Sequence, residues 1–122
     1  MSRSEETGIQ ITLVEWYRMA YPGKLISSSS HAGIKLDSRS GALAKKMGYW
    51  RGWPDLTIPY ARGGFFGMYI ELKIIEGVVS DHQRETLRSL RAEGYYAIVA
   101  RGFDEAVREI KQYMAKPQTQ AV

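Results

Sequence analysis

The sequence predicts a single α/β domain in which a small mixed β-sheet is flanked by helices. Three observations carry that reading. A chain of 122 residues with 44% hydrophobic and 25% charged content builds one core and is too short for two. The chain opens on a helical apolar stripe and closes on two further helices separated by an apolar strand. Between them, two strands joined at Arg62-Gly63-Gly64 share one apolar face when paired by simple counting.

The first helix runs to about Ala20 with Ser2 or Ser4 as its cap, and its stripe is Ile9, Leu13, Trp16, Tyr17 and Ala20. Tyr21-Pro22-Gly23 stops it. A short strand is expected within Lys24 to Ser28, followed by a basic loop and a helical turn around Gly41–Met47 that Gly48 ends. Asp55–Ala61 and Phe65–Ile75 form a hairpin. Pairing Ala61 with Phe65 sets Leu56, Ile58 and Tyr60 opposite Ile70, Met68 and Phe66, and a one-residue slip would turn one apolar set to the wrong side. Pro59 has no ladder donor, which makes the first strand an edge strand near that point. Ser80 caps a helix to about Glu93 with Leu87 and Leu90 inward and Gly94 as its stop; Tyr95–Ala100 is a strand, and Asp104 to about Met114 the last helix. The domain is expected over residues 1–115, with 116–122 a flexible tail.

Composition excludes several function classes. Zero cysteines remove disulfides, thiolate metal sites and cysteine nucleophiles, and suit a reducing cytoplasm. No apolar run reaches the roughly 20 residues of a membrane span, and no signal peptide is read at the start. The net charge of +4 is concentrated: residues 24–53 carry six basic groups against Asp37 alone, whereas residues 54–122 carry nine of each sign. This stretch, with Lys35, Arg39, Lys45, Lys46 and Arg51 beside Tyr49, Trp50 and Trp53, is either a nucleic-acid surface or a solvated basic loop.

The hairpin register also places charges. Asp55 falls opposite Glu71 on the face away from the apolar set, and Lys73 shares that face. Opposed Cβ atoms lie about 4.5–5.5 Å apart. Two carboxylates that close need a cation or a proton between them, and hard oxygen ligands suit Mg²⁺ or Mn²⁺. A metal beside a lysine is a workable arrangement for phosphodiester hydrolysis. A cross-strand Asp/Glu/Lys ion cluster is the plainer alternative. Glu6 lies on the first helix's inward stripe, either as a partner of that site or as a first-turn acid complementing the helix dipole. Gln83 faces inward ahead of Leu87 and Leu90, and also fits a capping box with Ser80.

With these residues in view, the chain resembles the virus-type replication-repair nuclease (VRR-NUC) family of the PD-(D/E)XK superfamily. The resemblance runs from Glu6 to about Ile110. It is carried by Glu6-x-x-Ile9-Gln10, Gly52-Trp53-Pro54-Asp55, Ile70-Glu71-Leu72-Lys73, Gly77-x-x-Ser80-x-x-Gln83, Leu87-x-x-Leu90 and Gly94. It implies a restriction-endonuclease-like core and a metal-dependent DNA endonuclease using Mg²⁺, with Mn²⁺ able to substitute. It further implies Asp55 and Glu71 as metal ligands with the Leu72 carbonyl as a third, Lys73 orienting the attacking water, Glu6 as the first-helix acid and Gln83 flanking the site. Stand-alone members of this size resemble phage proteins that act as homodimers on branched DNA, including four-way junctions. The alternatives are a DNA-binding module that has lost catalysis and a nuclease for single-stranded DNA or RNA. Two departures from the family pattern are Ser30-His31-Ala32-Gly33 where many members have Asn-Gly, and Trp53 before Pro54. His31 is read as a loop residue in preference to a phosphate contact, and Trp53 as a core residue in preference to a base-stacking one.

Overall fold

A computed structural model describes residues 2–29 and 38–120, with the side chains of residues 2, 3, 38 and 39 outside the description. The chain orders as α1 (Ser2–Ala20), β1 (Ser27–Ser28), α2 (Ser38–Lys46), β2 (Leu56–Ile58), β3 (Met68–Lys73), α3 (Asp81–Ala92), β4 (Tyr96–Arg101) and α4 (Phe103–Met114). The four strands form one sheet in the order β1-β2-β3-β4. β1, β2 and β3 pair antiparallel, and β3 and β4 pair parallel, so the sheet is mixed. A parallel pair requires a crossover, and α3 supplies it.

Strand alternation divides the core into two layers. Leu56, Ile58, Met68, Ile70, Leu72 and Ala100 bury against Leu13 and Tyr17 of α1 and Ala106, Ile110 and Tyr113 of α4. The opposite face is smaller: Leu87 and Leu90 of α3 pack on Ala97, with Tyr69, Tyr95 and Val99 beside them. The charged hairpin residues lie on this second, α3-covered face, because Glu71 and Lys73 alternate with Ile70 and Leu72.

The hairpin register is the one the apolar pattern requires, Leu56 to Ile70 and Ile58 to Met68. The ladder is shorter than expected. It stops at Ile58, next to Pro59, and neither Ala61–Phe65 nor Tyr60–Phe66 belongs to it. Phe66 leaves the expected apolar face; its N–H donates to Gly94 O at 3.0 Å, its ring packs on Tyr95 and it is 60% exposed. β1 covers β2 only at Leu56 and Thr57, which leaves Pro59 beyond any pairing strand. Ala20, assigned to the inward stripe, is exposed, because the stripe's burial ends at Tyr17.

The segment expected to be a loose tail is held as far as Thr119. Gly63 N donates to Pro117 O at 2.8 Å, and Thr119 Oγ1 donates to Phe65 O at 2.6 Å while accepting from Gly64 N at 3.1 Å. The glycine-rich turn leaves backbone groups unpaired by the hairpin, and the tail supplies their partners. Three tyrosines fasten the neighbouring loops: Tyr17 Oη donates to Leu25 O at 2.9 Å, Tyr60 Oη accepts from Leu25 N at 2.8 Å, and Tyr113 Oη donates to Tyr60 O at 2.7 Å.

Tyr113 is fully buried, so Tyr113→Phe leaves the Tyr60 carbonyl short of its donor and is expected to cost about 1–3 kcal/mol in urea unfolding. A loss below about 0.5 kcal/mol would show that the bond does not fasten the loop.

Candidate active site

Four elements converge on the α3-facing end of the hairpin. Asp55 sits one residue before β2, held on the β1 side where its carbonyl accepts from Ser29 N at 3.0 Å. The register places it across from Glu71, as expected, and its side chain reaches the neighbouring backbone: Leu72 N donates to Asp55 Oδ2 at 2.7 Å. Glu71 is 3% exposed and Lys73 9%, and Lys73 Nζ lies 3.7 Å from Glu71 Oε2. Gln83 Nε2 donates to the same Oε2 at 2.9 Å.

Gln83 therefore performs both tasks between which the sequence left it suspended. Its N–H donates to Ser80 Oγ and its Oε1 accepts from Ser80 N at 2.9 Å, a complete capping box, while its amide nitrogen faces Glu71. A side chain already fixed by capping spends no further rotamer freedom in holding the carboxyl group. Gly52 allows α3 to come this close. It has φ +86°, and a Cβ there would lie 2.7 Å from the His82 carbonyl carbon and 2.8 Å from Gln83 N.

Glu6 arrives from the other layer, around the end of β3. It is half-buried, and its Oε2 accepts from Ile74 N at 3.4 Å. It is not a solvated first-turn acid, and among the described residues its oxygen is held by backbone rather than by a cation. Its charge adds to the repulsion felt by both Asp55 and Glu71. The turn it touches is pinned by Arg101, whose guanidinium donates to the carbonyls of Ile74, Ile75 and Gly77. Sequence reasoning passed over Arg101. Its partners lie 24–27 residues away, and nothing local marks the last residue of an apolar strand as a clamp.

The electrostatics follow from burial. Desolvation and the neighbouring Asp55 charge push the Glu71 carboxyl up to about 8, against an attraction to Lys73 that lowers it. Desolvation also raises Asp55, opposed by the Leu72 N–H. Burial and the Asp55 charge favour the protonated form of Glu71, while the Leu72 N–H favours the charged form of Asp55, so a proton at the pair resides on Glu71. A cation could take that proton's place. A buried and a half-buried carboxyl group side by side form an oxygen-only donor set that fits a hard divalent ion. Among the described residues no three His, Cys, Asp or Glu side chains cluster in metal-holding reach, so two carboxylates are the side-chain contribution here.

The basic segment is described in part. Lys45 and Lys46 end α2 and are exposed, as is Arg51. Lys35 and His31, and the Arg39 side chain, lie outside the described residues. Lys24, which contributes to the same charge surplus, sits 5.2 Å from the centre of the Tyr60 ring. Trp53 departs from its expected core role. It is 39% exposed, with its ring edge-to-face on Tyr69 at 5.7 Å, because Pro54 rather than Trp53 turns into the interior.

Comparison with known proteins agrees with this fold. The family model of the VRR-NUC domain matches residues 3–104. A solved structure described as a VRR_NUC domain protein superimposes with a TM-score of 0.75 at 30% identity, covering 89% of this chain and 87% of that one. No curated protein matches the chain. The match, on a four-stranded mixed sheet, implies a nuclease of the PD-(D/E)XK type. Within that class, the chain belongs to the VRR-NUC family. Among the described residues, no helix is long and apolar enough to cross a membrane.

A raised carboxyl makes metal-free stability pH-dependent. Between the unfolded value of 4.5 and the folded value of about 8, the folded chain keeps the Glu71 proton that the unfolded chain releases. Stability from this group is complete below the lower value and is lost as pH rises through the upper one. In EDTA, the melting temperature is therefore expected to fall between about pH 5 and about pH 8.5, and Glu71→Gln, which imitates the protonated acid, should flatten most of that fall. Parallel curves for the two proteins would contradict the assignment of the proton to Glu71.

Proposed function

We propose that the chain is a divalent-metal-dependent endonuclease that hydrolyses phosphodiester bonds in DNA, selective for branched forms such as four-way junctions. The observation that carries this reading is half-buried Asp55 beside buried Glu71, with Lys73 Nζ 3.7 Å from Glu71 Oε2. A solvated ion cluster would need no burial, and withdrawing Glu71 and Lys73 from water beside a half-buried Asp55 is costly without a function that uses them. All three groups are present, which speaks against a binding module that has lost catalysis.

Asp55, Glu71 and the Leu72 carbonyl would hold Mg²⁺, or Mn²⁺ in its place. When bound, the ion supplies Lewis-acid polarisation of a phosphoryl oxygen and lowers the pKa of a water. The rest belongs to the chain. Glu71 would hold the ion as its carboxylate, and Gln83 would keep Glu71 Oε2 in place. The Lys73 ammonium orients the attacking water and offsets the charge that builds on the phosphorane. Glu6, fixed on the Ile74 N–H, lends a further carboxylate at the rim.

Lys45, Lys46 and Arg51, together with Lys35 and Arg39, would guide the phosphate backbone. This segment runs into Trp53-Pro54-Asp55, so the guiding charges lead to the hydrolytic pair. One copy offers one carboxyl pair and a limited basic surface, and two copies would furnish two cuts on a junction; a homodimer accords with that. The catalytic domain is placed in residues 1–115, and a cysteine-free chain suits the cytoplasm, that of a host cell for a phage-encoded protein.

Asp55→Ala or Glu71→Ala is expected to abolish Mg²⁺-dependent cleavage of a four-way junction while leaving DNA binding largely intact. Lys73→Ala should lower the single-turnover rate on the order of 10²-fold with little loss of affinity. Cleavage at the wild-type rate by either carboxylate variant refutes the hydrolytic pair, and a Lys73→Ala effect confined to affinity makes that residue a phosphate contact. Replacing Lys45 and Lys46 with Gln should reduce the slope of log K against log salt by up to about 2. An unchanged slope would place the backbone elsewhere.

A further inference from the structure

The residues between α2 and β2 form one wall of a groove whose other wall is α3. Its volume is about 600 Å³, and Tyr49, Trp50, Trp53, Thr86 and Leu90 line it, with Lys45 and Arg51 at its rim. The hydrolytic residues do not line it, and nothing in the mechanism above uses its aromatic rings.

Trp50 is 62% exposed, yet it is not loose. Its Nε1 donates to Thr86 Oγ1 at 3.2 Å, and Thr86 Oγ1 in turn donates to His82 O at 2.9 Å. The one polar atom of the indole is thus committed to α3, and what remains open to solvent is carbon. Trp53 is likewise fixed, by its edge-to-face contact with Tyr69, and remains 39% exposed. A large aromatic surface held in place and left wet costs solvation without gaining packing. The same preorganisation lowers the ordering cost of receiving a flat ligand.

Charge and position narrow the ligand. Lys45 and Arg51 flank the rings; of the two acids on the groove, Glu85 is paired with Arg88 at 2.6 Å and Glu93 sits at the C-terminal cap of α3. Aromatic rings between exposed cations are the combination that binds single-stranded nucleic acid. Trp53 precedes Asp55 by two residues, a separation of at most about 7 Å along an extended backbone. A strand whose phosphate lies at the carboxyl pair therefore passes the mouth of the groove.

We propose that this groove is a stacking site for an unpaired nucleobase of the DNA strand that passes the Asp55–Glu71 centre. The proposal rests on the nuclease reading above and deepens it, because it assigns the preference for branched DNA to recognition of bases left unpaired at a flap or gap, or opened at the branch point of a four-way junction. Duplex DNA offers its bases only stacked, so the groove contributes little to its binding. A flap, gap or junction with an open base engages both rings.

The test is binding in EDTA of a labelled thymidine oligomer of about ten nucleotides, a length within the site sizes of such surfaces, alongside a blunt duplex. Trp50→Ala and Trp53→Ala are each expected to weaken oligomer binding on the order of tenfold, with a much smaller loss on the duplex. Trp50→Phe and Trp53→Phe, which keep a ring, should restore most of the affinity and serve as folded controls. Oligomer quenching of tryptophan fluorescence should shrink in each alanine variant, because Trp16 lies half-buried in α1, away from the groove. Undiminished oligomer binding, or equal losses on oligomer and duplex, overturns the proposal. So does dissociation of a dimer by Trp50→Ala in sedimentation velocity, which would give the groove to a second copy. Working without metal separates the two readings: a protein that cleaves nothing can still stack bases, and one that cleaves normally can still fail to.

Discussion

Two acids held side by side, Glu71 buried and Asp55 half-buried, are the constraint around which this small domain is arranged. Asp55 precedes β2 and Glu71 lies in β3, and the two would repel each other if both were charged. Their juxtaposition survives because each neighbour is fixed by an interaction of its own. The Leu72 N–H is part of β3 and donates to Asp55. The capping box that starts α3 delivers the Gln83 amide to Glu71. The parallel pairing of β3 with β4 sets Lys73 beside Arg101, whose guanidinium holds the following turn. Preorganisation of this kind lets a site bind a cation, or hold charge that develops in a reaction, without rearranging at that moment.

The layering of the fold separates stability from chemistry. The face of the sheet toward α1 and α4 is a continuous apolar core, and it includes the largest buried side chains, Tyr17 and Tyr113. The face toward α3 has a thinner apolar layer and carries the acids, the lysine and the half-exposed Trp53. A polar site on the thin side costs the main core nothing, and the strand period of two keeps the two faces apart. Glu6 is the exception, an acid from the thick side that reaches the site around the end of β3.

The sequence made much of this legible, and the reasons differ by residue. The hairpin register could be read because Leu56, Ile58, Met68 and Ile70 must share a face, and the same count set Asp55 against Glu71. Gln83 could be read only as a choice, since helical spacing sends it inward and the Ser80 box holds it at the helix end; the two hydrogen-bonding ends of one amide reconcile them. The far end of the hairpin was misread past Ile58, because Pro59 breaks the ladder and Phe66 N–H finds Gly94 instead, a partner 28 residues on. The docked tail was missed for a similar reason. Lys116 to Gln120 has the composition of a frayed end, and only the unpaired groups of the Gly63-Gly64 turn, far away in sequence, give it something to bind. Trp53 failed on local grounds: the step from Trp53 to Pro54 decides which ring turns inward, and the sequence favours the tryptophan by size alone.

The central claim is that Asp55 and Glu71 together form a cation site held in its protonated form until a metal arrives. Calorimetric titration of Mn²⁺ into the metal-free protein near pH 7, repeated in buffers of different ionisation enthalpy, tests it most directly, because it reads both binding and proton release. The expected result is binding accompanied by release of close to one proton, with both lost in Glu71→Gln and binding strongly weakened in Asp55→Asn. Mn²⁺ binding of wild-type strength in both variants, or binding by the wild type with no proton released, would contradict it.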